Sequence, residues 1–249
     1  MRPEDVYQLT SVGDPRISPD GARVAYVVTS IDEESSEYRS AIWVAPLDGS
    51  GGPAQFTSGA KRDGSPRWSP DGRYLAFTSN RGEDKKTPSA LYVIPAQGGE
   101  PRKLTDLKES VEAIAWSPDS GRIAFGARVQ DEAYEEEDDR KRRPRRFTRV
   151  FHKLDSVGWT GDRRTQLFVV AVDGGAEATQ VTAGDYEHGA PAWLDERTLI
   201  FGGLRDEDWD TSLINRLYTV SAEGVSSIRQ PCRVEVIGSV TSRSVPASR

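Results

Sequence analysis

A short turn motif recurs along this chain at near-constant intervals, and that recurrence limits the possible fold more than any other feature. Ser18-Pro19-Asp20-Gly21 returns as Ser69-Pro70-Asp71-Gly72 and again as Ser117-Pro118-Asp119-Ser120-Gly121. Trp68 and Trp116 stand directly before the second and third copies, and a degraded fourth copy reads Pro191-Ala192-Trp193-Leu194-Asp195. The motif suits a tight turn: Pro presets φ, Asp bonds its own backbone, and Gly accepts the exit conformation.

Two strand signals follow each turn. The first are Val24-Ala25-Tyr26-Val27-Val28, Tyr74-Leu75-Ala76-Phe77, Ile123-Ala124-Phe125 and Leu199-Ile200-Phe201. The second are Ile42–Leu47, Leu91–Pro95, Leu167–Val172 and Leu217–Val220, each running into a glycine turn at Gly49, Gly98, Gly174 or Gly224. A last short strand closes three copies at Gln55-Phe56-Thr57, Lys103-Leu104-Thr105 and Gln180-Val181-Thr182. Gly49 and Gly98 lie 49 residues apart, Gly174 and Gly224 lie 50 apart, and Gly98 and Gly174 lie 76 apart, so the third unit carries an insertion of about 27 residues. Four short strands per unit at a period near 40–50 residues mark the blades of a propeller. The expected fold class is all-β: a β-propeller of about four blades, each of four antiparallel strands, in an incomplete ring. The blades are expected at 10–58, 59–107, 108–184 with the insertion at 128–160, and 185–224.

Of 249 residues, 36% are hydrophobic and 29% charged, and 33 basic against 39 acidic side chains leave a net charge of −6. That balance argues against nucleic acid as the main partner. The single Cys232 excludes an internal disulfide framework and fits a reducing compartment. The opening residues, Met1 to Thr10, contain no apolar leader, and no apolar run approaches the length of a membrane span. A cytoplasmic protein without a membrane partner is therefore expected.

Tests for chemistry return no catalytic, cofactor-binding or metal-ligating residue. Gly224-Val225-Ser226 is the one Gly-x-Ser, and Ile228 stands where a nucleophile elbow needs its second glycine. A hydrolytic triad needs a histidine base. His152 falls in the insertion and His188 in Asp185-Tyr186-Glu187-His188-Gly189, read as a loop entering the fourth blade; structural or solvated roles are expected for both. Asp206-Glu207-Asp208-Trp209-Asp210 lacks the spacing of a calcium loop and reads as a solvated hairpin loop. Gly49-Ser50-Gly51-Gly52 lacks the Lys-Ser/Thr of a phosphate loop. The insertion places five acids, Glu135 to Asp139, before Arg140-Lys141-Arg142-Arg143-Pro144-Arg145-Arg146. It reads first as an exposed loop that neutralises itself.

The repeat resembles the propellers of TolB-like proteins and of the prolyl oligopeptidase family of serine peptidases. The segment from Glu4-Asp5-Val6-Tyr7-Gln8-Leu9 to Gly21 is similar to the start of acylaminoacyl-peptidase-type members. So is the insertion, from Tyr134 through Arg149 and on through Leu154-Asp155-Ser156-Val157-Gly158-Trp159-Thr160. The resemblance covers residues 3–224. It implies a propeller of seven blades that caps a separate α/β-hydrolase domain and restricts substrates to peptides. It also implies that the insertion contacts that domain or the substrate entrance. The implied partners are thus a peptide substrate and a missing hydrolase domain, with self-association through exposed blade faces a further expectation. Two other readings stand beside it: a free-standing TolB-like module binding a protein or peptide, and a gene fragment without a function of its own. After Gly224 the last-strand pattern and a fifth turn are not found, so 225–249 is expected to be a poorly ordered, non-family tail, as a frameshift or gene fragment would produce.

Overall fold

The computed structural model describes residues 2–82, 87–131, 136, 138, 140–155, 157–175, 177–212, 214–225, 228 and 229. Blade one contains β1 (Thr10–Ile17), β2 (Arg23–Asp32), β3 (Glu37–Pro46) and β4 (Ala54–Gln55). Blade two contains β5 (Asp63–Trp68), β6 (Tyr74–Ser79), β7 (Ala90–Pro95) and β8 (Arg102–Lys103). In blade three, β9 (Val111–Trp116) and β10 (Arg122–Gln130) precede a hairpin of β11 (Lys153–Leu154) and β12 (Gly158–Trp159), and β13 (Arg163–Ala171) and β14 (Thr179–Gln180) complete the sheet. Blade four contains β15 (Glu187–Trp193), β16 (Thr198–Leu204) and β17 (Arg216–Ser221), with the single helical turn α1 (Trp209–Ser212) between the last two. Every pairing between these strands is antiparallel.

Each of the first three blades is closed by the residues that repeat. The Ser18 hydroxyl accepts from the Arg23 N–H and donates to the Asp20 carboxylate, locking the hairpin between the first two strands. Ser69 with Asp71, and Ser117 with Asp119, do the same. Those serine hydroxyls hold the Asp20 and Asp119 carboxyls below the usual carboxylate range. At the far edge, the hydroxyls of Thr57, Thr105 and Thr182 accept from the backbone N–H of Ile42, Leu91 and Leu167 at 2.9–3.0 Å. The fourth strand need only be two residues long for this latch to form.

The tryptophan before each turn joins one blade to the next. The indole N–H of Trp68 donates to the Arg16 carbonyl (2.9 Å), that of Trp116 to Arg67 (2.8 Å) and that of Trp193 to Ala115 (3.0 Å). Each acceptor sits one residue before the matching position of the preceding blade, so the same bond steps along the array. Apolar packing follows the same logic. One cluster joins Ile42 to Leu75, Phe77 and Tyr92; a second joins Leu91 and Val93 to Ile123 and Phe125; a third joins Leu167 and Val169 to Leu199 and Phe201. The core therefore lies between blades, and four blades make three cores. The inner strands follow in order β1, β5, β9 and β15, and among the described residues no strand of blade one packs extensively on blade four. The result is an open arc of blades.

Two expectations require correction. His188 lies in strand β15, not in a loop, and is only 5% exposed. The repeat also does not stop at Gly224. Arg229 exchanges both backbone hydrogen bonds with Thr219, in the place that Ala54, Arg102 and Thr179 hold against Val44, Val93 and Val169. Ile228 packs against the third cluster, as Ala178 does against the second. Residues 228 and 229 thus stand where the fourth blade's last strand is due. Residues 230–249, with Cys232 among them, lie outside the described residues, as do Ser226, Tyr134, Glu135, Glu137, Asp139 and Ser156.

Candidate functional site: the insertion and its seat on blade four

The insertion leaves blade three between Gln130 and Arg163, the last paired residues of β10 and β13. Its basic run does not simply float. Arg145 lies over the Trp159 ring at 4.8 Å and pairs with Asp162 at 3.0 Å. Phe147, His152 and Trp159 form a short aromatic stack, with Phe147 4.4 Å from His152 and 5.5 Å from Trp159. The His152 ring contacts the Arg149 carbonyl through Nδ1 at 3.2 Å.

The insertion's second anchor is the loop of blade four that was expected to be solvated. Trp209 is 1% exposed and Asp210 7% exposed. Asp210 accepts from the Val150 backbone N–H (2.7 Å) and from Arg149 (3.2 Å); the Val150 bond first, then the guanidinium, keeps its carboxyl below the usual range. Phe151 stacks on Trp209, and the guanidiniums of Arg149 and Arg164 sit 5.6 and 5.1 Å from that ring's centre. Arg164 also bonds Asp185 (2.8 Å) and the Phe151 carbonyl (3.1 Å). Asp206 turns away to Arg216 at 3.0 Å, so the acids of 206–210 do not converge as a cation site would require. The acidic and basic halves of the insertion do compensate each other in part, through Asp138 with Arg140, and Arg142 bonds the Glu136 backbone carbonyl.

Between the insertion and blades three and four lies a cleft of about 240 Å³. Its rim carries the guanidiniums, the aromatic stack and Asp162, whose Oδ1 is buried without a hydrogen-bond partner. Sequence reasoning named the basic run and His152 but missed Asp162 and Arg164, which look like ordinary strand-entry residues until the cleft brings them to Arg145 and Trp209.

The remaining expected positions do not assemble into a reactive centre. His188 Nδ1 meets the Thr165 carbonyl at 2.9 Å and Nε2 meets Arg205 at 2.6 Å. A carbonyl can only accept and a guanidinium only donate, so the proton sits on Nδ1 and the ring is neutral. Burial, the main cause, pushes its pKa down to about 4. Neither imidazole bonds a hydroxyl among the described residues. No helix among those residues is long and apolar enough to cross a membrane.

Sheets of four short antiparallel strands, stitched inner strand to inner strand, define the chain as β-propeller blades. Comparisons with known proteins say which propeller. The peptidase YuxL of Bacillus subtilis (strain 168) is 36% identical over 222 residues, covering 86% of this chain and 33% of the relative. Dipeptidyl-peptidase 5 of Porphyromonas endodontalis is 27% identical over 131 residues, 52% of this chain and 18% of the relative. Among solved structures, the acylaminoacyl peptidase of Pyrococcus horikoshii superposes with a TM-score of 0.71 at 18% identity over 92% of this chain and 33% of its own. A TolB-like protein of Agrobacterium tumefaciens superposes at 0.55 with 20% identity, over 88% of this chain and 61% of its own. No protein-family model matches. The chain belongs to the propeller part of the prolyl-oligopeptidase family of peptidases, and it spans about one third of the length of the curated peptidase YuxL.

Proposed function

We propose that this chain is the non-catalytic, substrate-gating part of a serine peptidase whose hydrolase chemistry resides elsewhere. The observation that carries this reading is the match of 86% of the chain to one third of a peptidase. A second supports it: the repeated side chains Ser18, Trp68, Thr105 and their counterparts are all engaged in holding blades together, and both histidines are held by backbone carbonyls. The partners on this reading are a peptide substrate and a hydrolase domain. The bare face of blade one is the surface on which a further blade, or a second copy, would pack.

The second reading, a free-standing module that binds a protein or peptide, is favoured by the TolB-like neighbour, of which the chain covers 61%. A fluorophosphonate probe, which labels activated serines, separates catalysis from its absence. The expected result is no labelling and no hydrolysis of acylated peptides by this chain alone. Labelling of the purified chain would sink the non-catalytic reading. Reading the coding DNA beyond codon 229 in three frames then separates gate from module: a downstream Gly-x-Ser-x-Gly elbow supports the gate, and none in any frame supports the module.

A further inference from the structure

The cleft beneath the insertion has an unbalanced charge. Five arginines reach it, Arg143, Arg145, Arg146, Arg149 and Arg164, against Asp131, Asp162 and Asp185 and, behind Arg149, Asp210, which leaves one positive charge over. The surplus can be located. Arg145, Arg149 and Arg164 are paired with acids, whereas Arg143 and Arg146 are exposed and have no carboxylate partner among the described residues. Beside them Phe147 is 53% exposed although it stacks on His152 and Trp159. An aromatic wall left half open next to two free guanidiniums is matched to a ligand with one apolar group and one anion. Behind them the Asp162 carboxylate holds Arg145 at 3.0 Å, which fixes one side of the cleft wall.

We propose that this cleft binds a carboxylate-bearing peptide segment. Arg143 and Arg146 take the carboxylate through charge-assisted hydrogen bonds, and Phe147 and Trp159 take the adjoining apolar side chain. A volume of about 240 Å³ holds one or two side chains rather than a run of nucleotides. The three aspartates at the rim oppose a polyphosphate backbone but tolerate a single carboxylate. The site does not depend on the gating reading, since a free-standing module would use it in the same way.

The test uses the 249-residue chain and four probes in fluorescence anisotropy. These are a labelled Ala-Glu-Phe-Glu-Ala peptide with blocked ends, its Gln counterpart with blocked ends, the Gln peptide with a free C-terminal carboxylate, and a ten-nucleotide single strand of thymidylate. The acidic peptide is expected to bind about tenfold more tightly than the blocked Gln peptide. Recovery of that tenfold by the free carboxylate would assign the site to peptide C-termini, and its absence to acidic side chains; both outcomes support a carboxylate site. The Arg143→Ala/Arg146→Ala variant, which removes no ion pair among the described residues and so should keep the parent melting temperature, is expected to lose the preference, while Arg73→Ala on a distant turn keeps it. Equal binding of acidic and blocked Gln peptides, an unchanged preference in the double variant, or tighter binding of the oligonucleotide would each overturn the proposal.

Discussion

Blades one and two carry the same turn, the same latch and the same strand order, yet they are buried very differently. In blade two, Leu75, Ala76 and Phe77 are all fully buried, whereas the matching Val24 and Tyr26 of blade one are only partly covered. Along β1 seven of eight residues are exposed, including Val12 at 68% and Ile17 at 63%, while the matching Asp63 and Trp68 of β5 are buried. A blade's sequence therefore specifies its sheet but not its core. The core is supplied by the neighbour, and blade one has a neighbour on one side only among the described residues. In repeat arrays stability resides in such interfaces as much as in the repeats.

The difference is broken most directly by truncating the same position in both blades. Phe77→Ala removes a ring at 0% exposure that stacks on Tyr92 with centroids 5.6 Å apart, and should cost about 3–5 kcal/mol. Tyr26→Ala, at the equivalent place on a half-covered face, should cost about 1 kcal/mol, in proportion to the smaller area it removes from water. Urea denaturation of the two variants reads both numbers. Equal losses would mean that blade one is packed as an interior blade in solution, by a second copy or by chain not seen here.

A half-buried arginine sharpens the comparison between interior and end. In blade two Arg81 pairs with Asp63 at 2.8 Å and lies over Tyr92; in blade four Arg205, at the same register, meets His188 and lies over Tyr218. The same site thus holds an acid in one blade and a neutral imidazole in the other. The folded pKa of His188, about 4, lies below its ordinary 6.5, so the unfolded chain binds the proton more readily. Its contribution to stability is complete above pH 6.5 and is lost as pH falls toward 4. Between pH 7 and 5 the loss should be about 2 kcal/mol. The turn aspartates, with pKa values lowered from 3.8, lose their contribution only at lower pH and leave this window clear. Urea midpoints measured across the window should fall for the parent and stay flat for His188→Gln; parallel curves would refute the assignment.

How far the sequence discloses these features depends on whether they repeat. The turns, the tryptophans before them and the threonine latches are legible because each copy confirms the others and each residue type has a local reason to be there. The fourth blade's last strand was missed because Ile228-Arg229 keeps the spacing of Pro53-Ala54 and Ala178-Thr179 without their ending in Thr. The seat of the insertion was hidden for another reason. Asp206 to Asp210 is as polar as any solvated loop, and nothing local shows that Arg149, some 60 residues earlier, buries its last member. Contacts between non-repeating segments leave no periodic trace.

A third feature of the repeat was equally invisible, and it gives the smallest test. The inner strand of each of the first three blades is bulged, and the residue three before the tryptophan position takes a left-handed backbone: Asp14 at φ 47°, Ser65 at 53° and Ala113 at 55°. None is glycine, so each copy carries strain that a β-carbon creates. At Asp14, in the end blade, the side chain offsets part of this through ion pairs with Arg16 and with Arg67 of the next blade. Ala113, in interior blade three, has no such group. Ala113→Gly should therefore stabilise the chain by about 0.5–1 kcal/mol, whereas Asp14→Gly should give no gain, because relief of strain is set against the lost pairing across the first interface. Thermal melts of the two variants decide between them. A stabilised Asp14→Gly would show that the blade-one ion pairs contribute little, and a destabilised Ala113→Gly would show that the bulge is held by the alanine's own contacts rather than imposed on it.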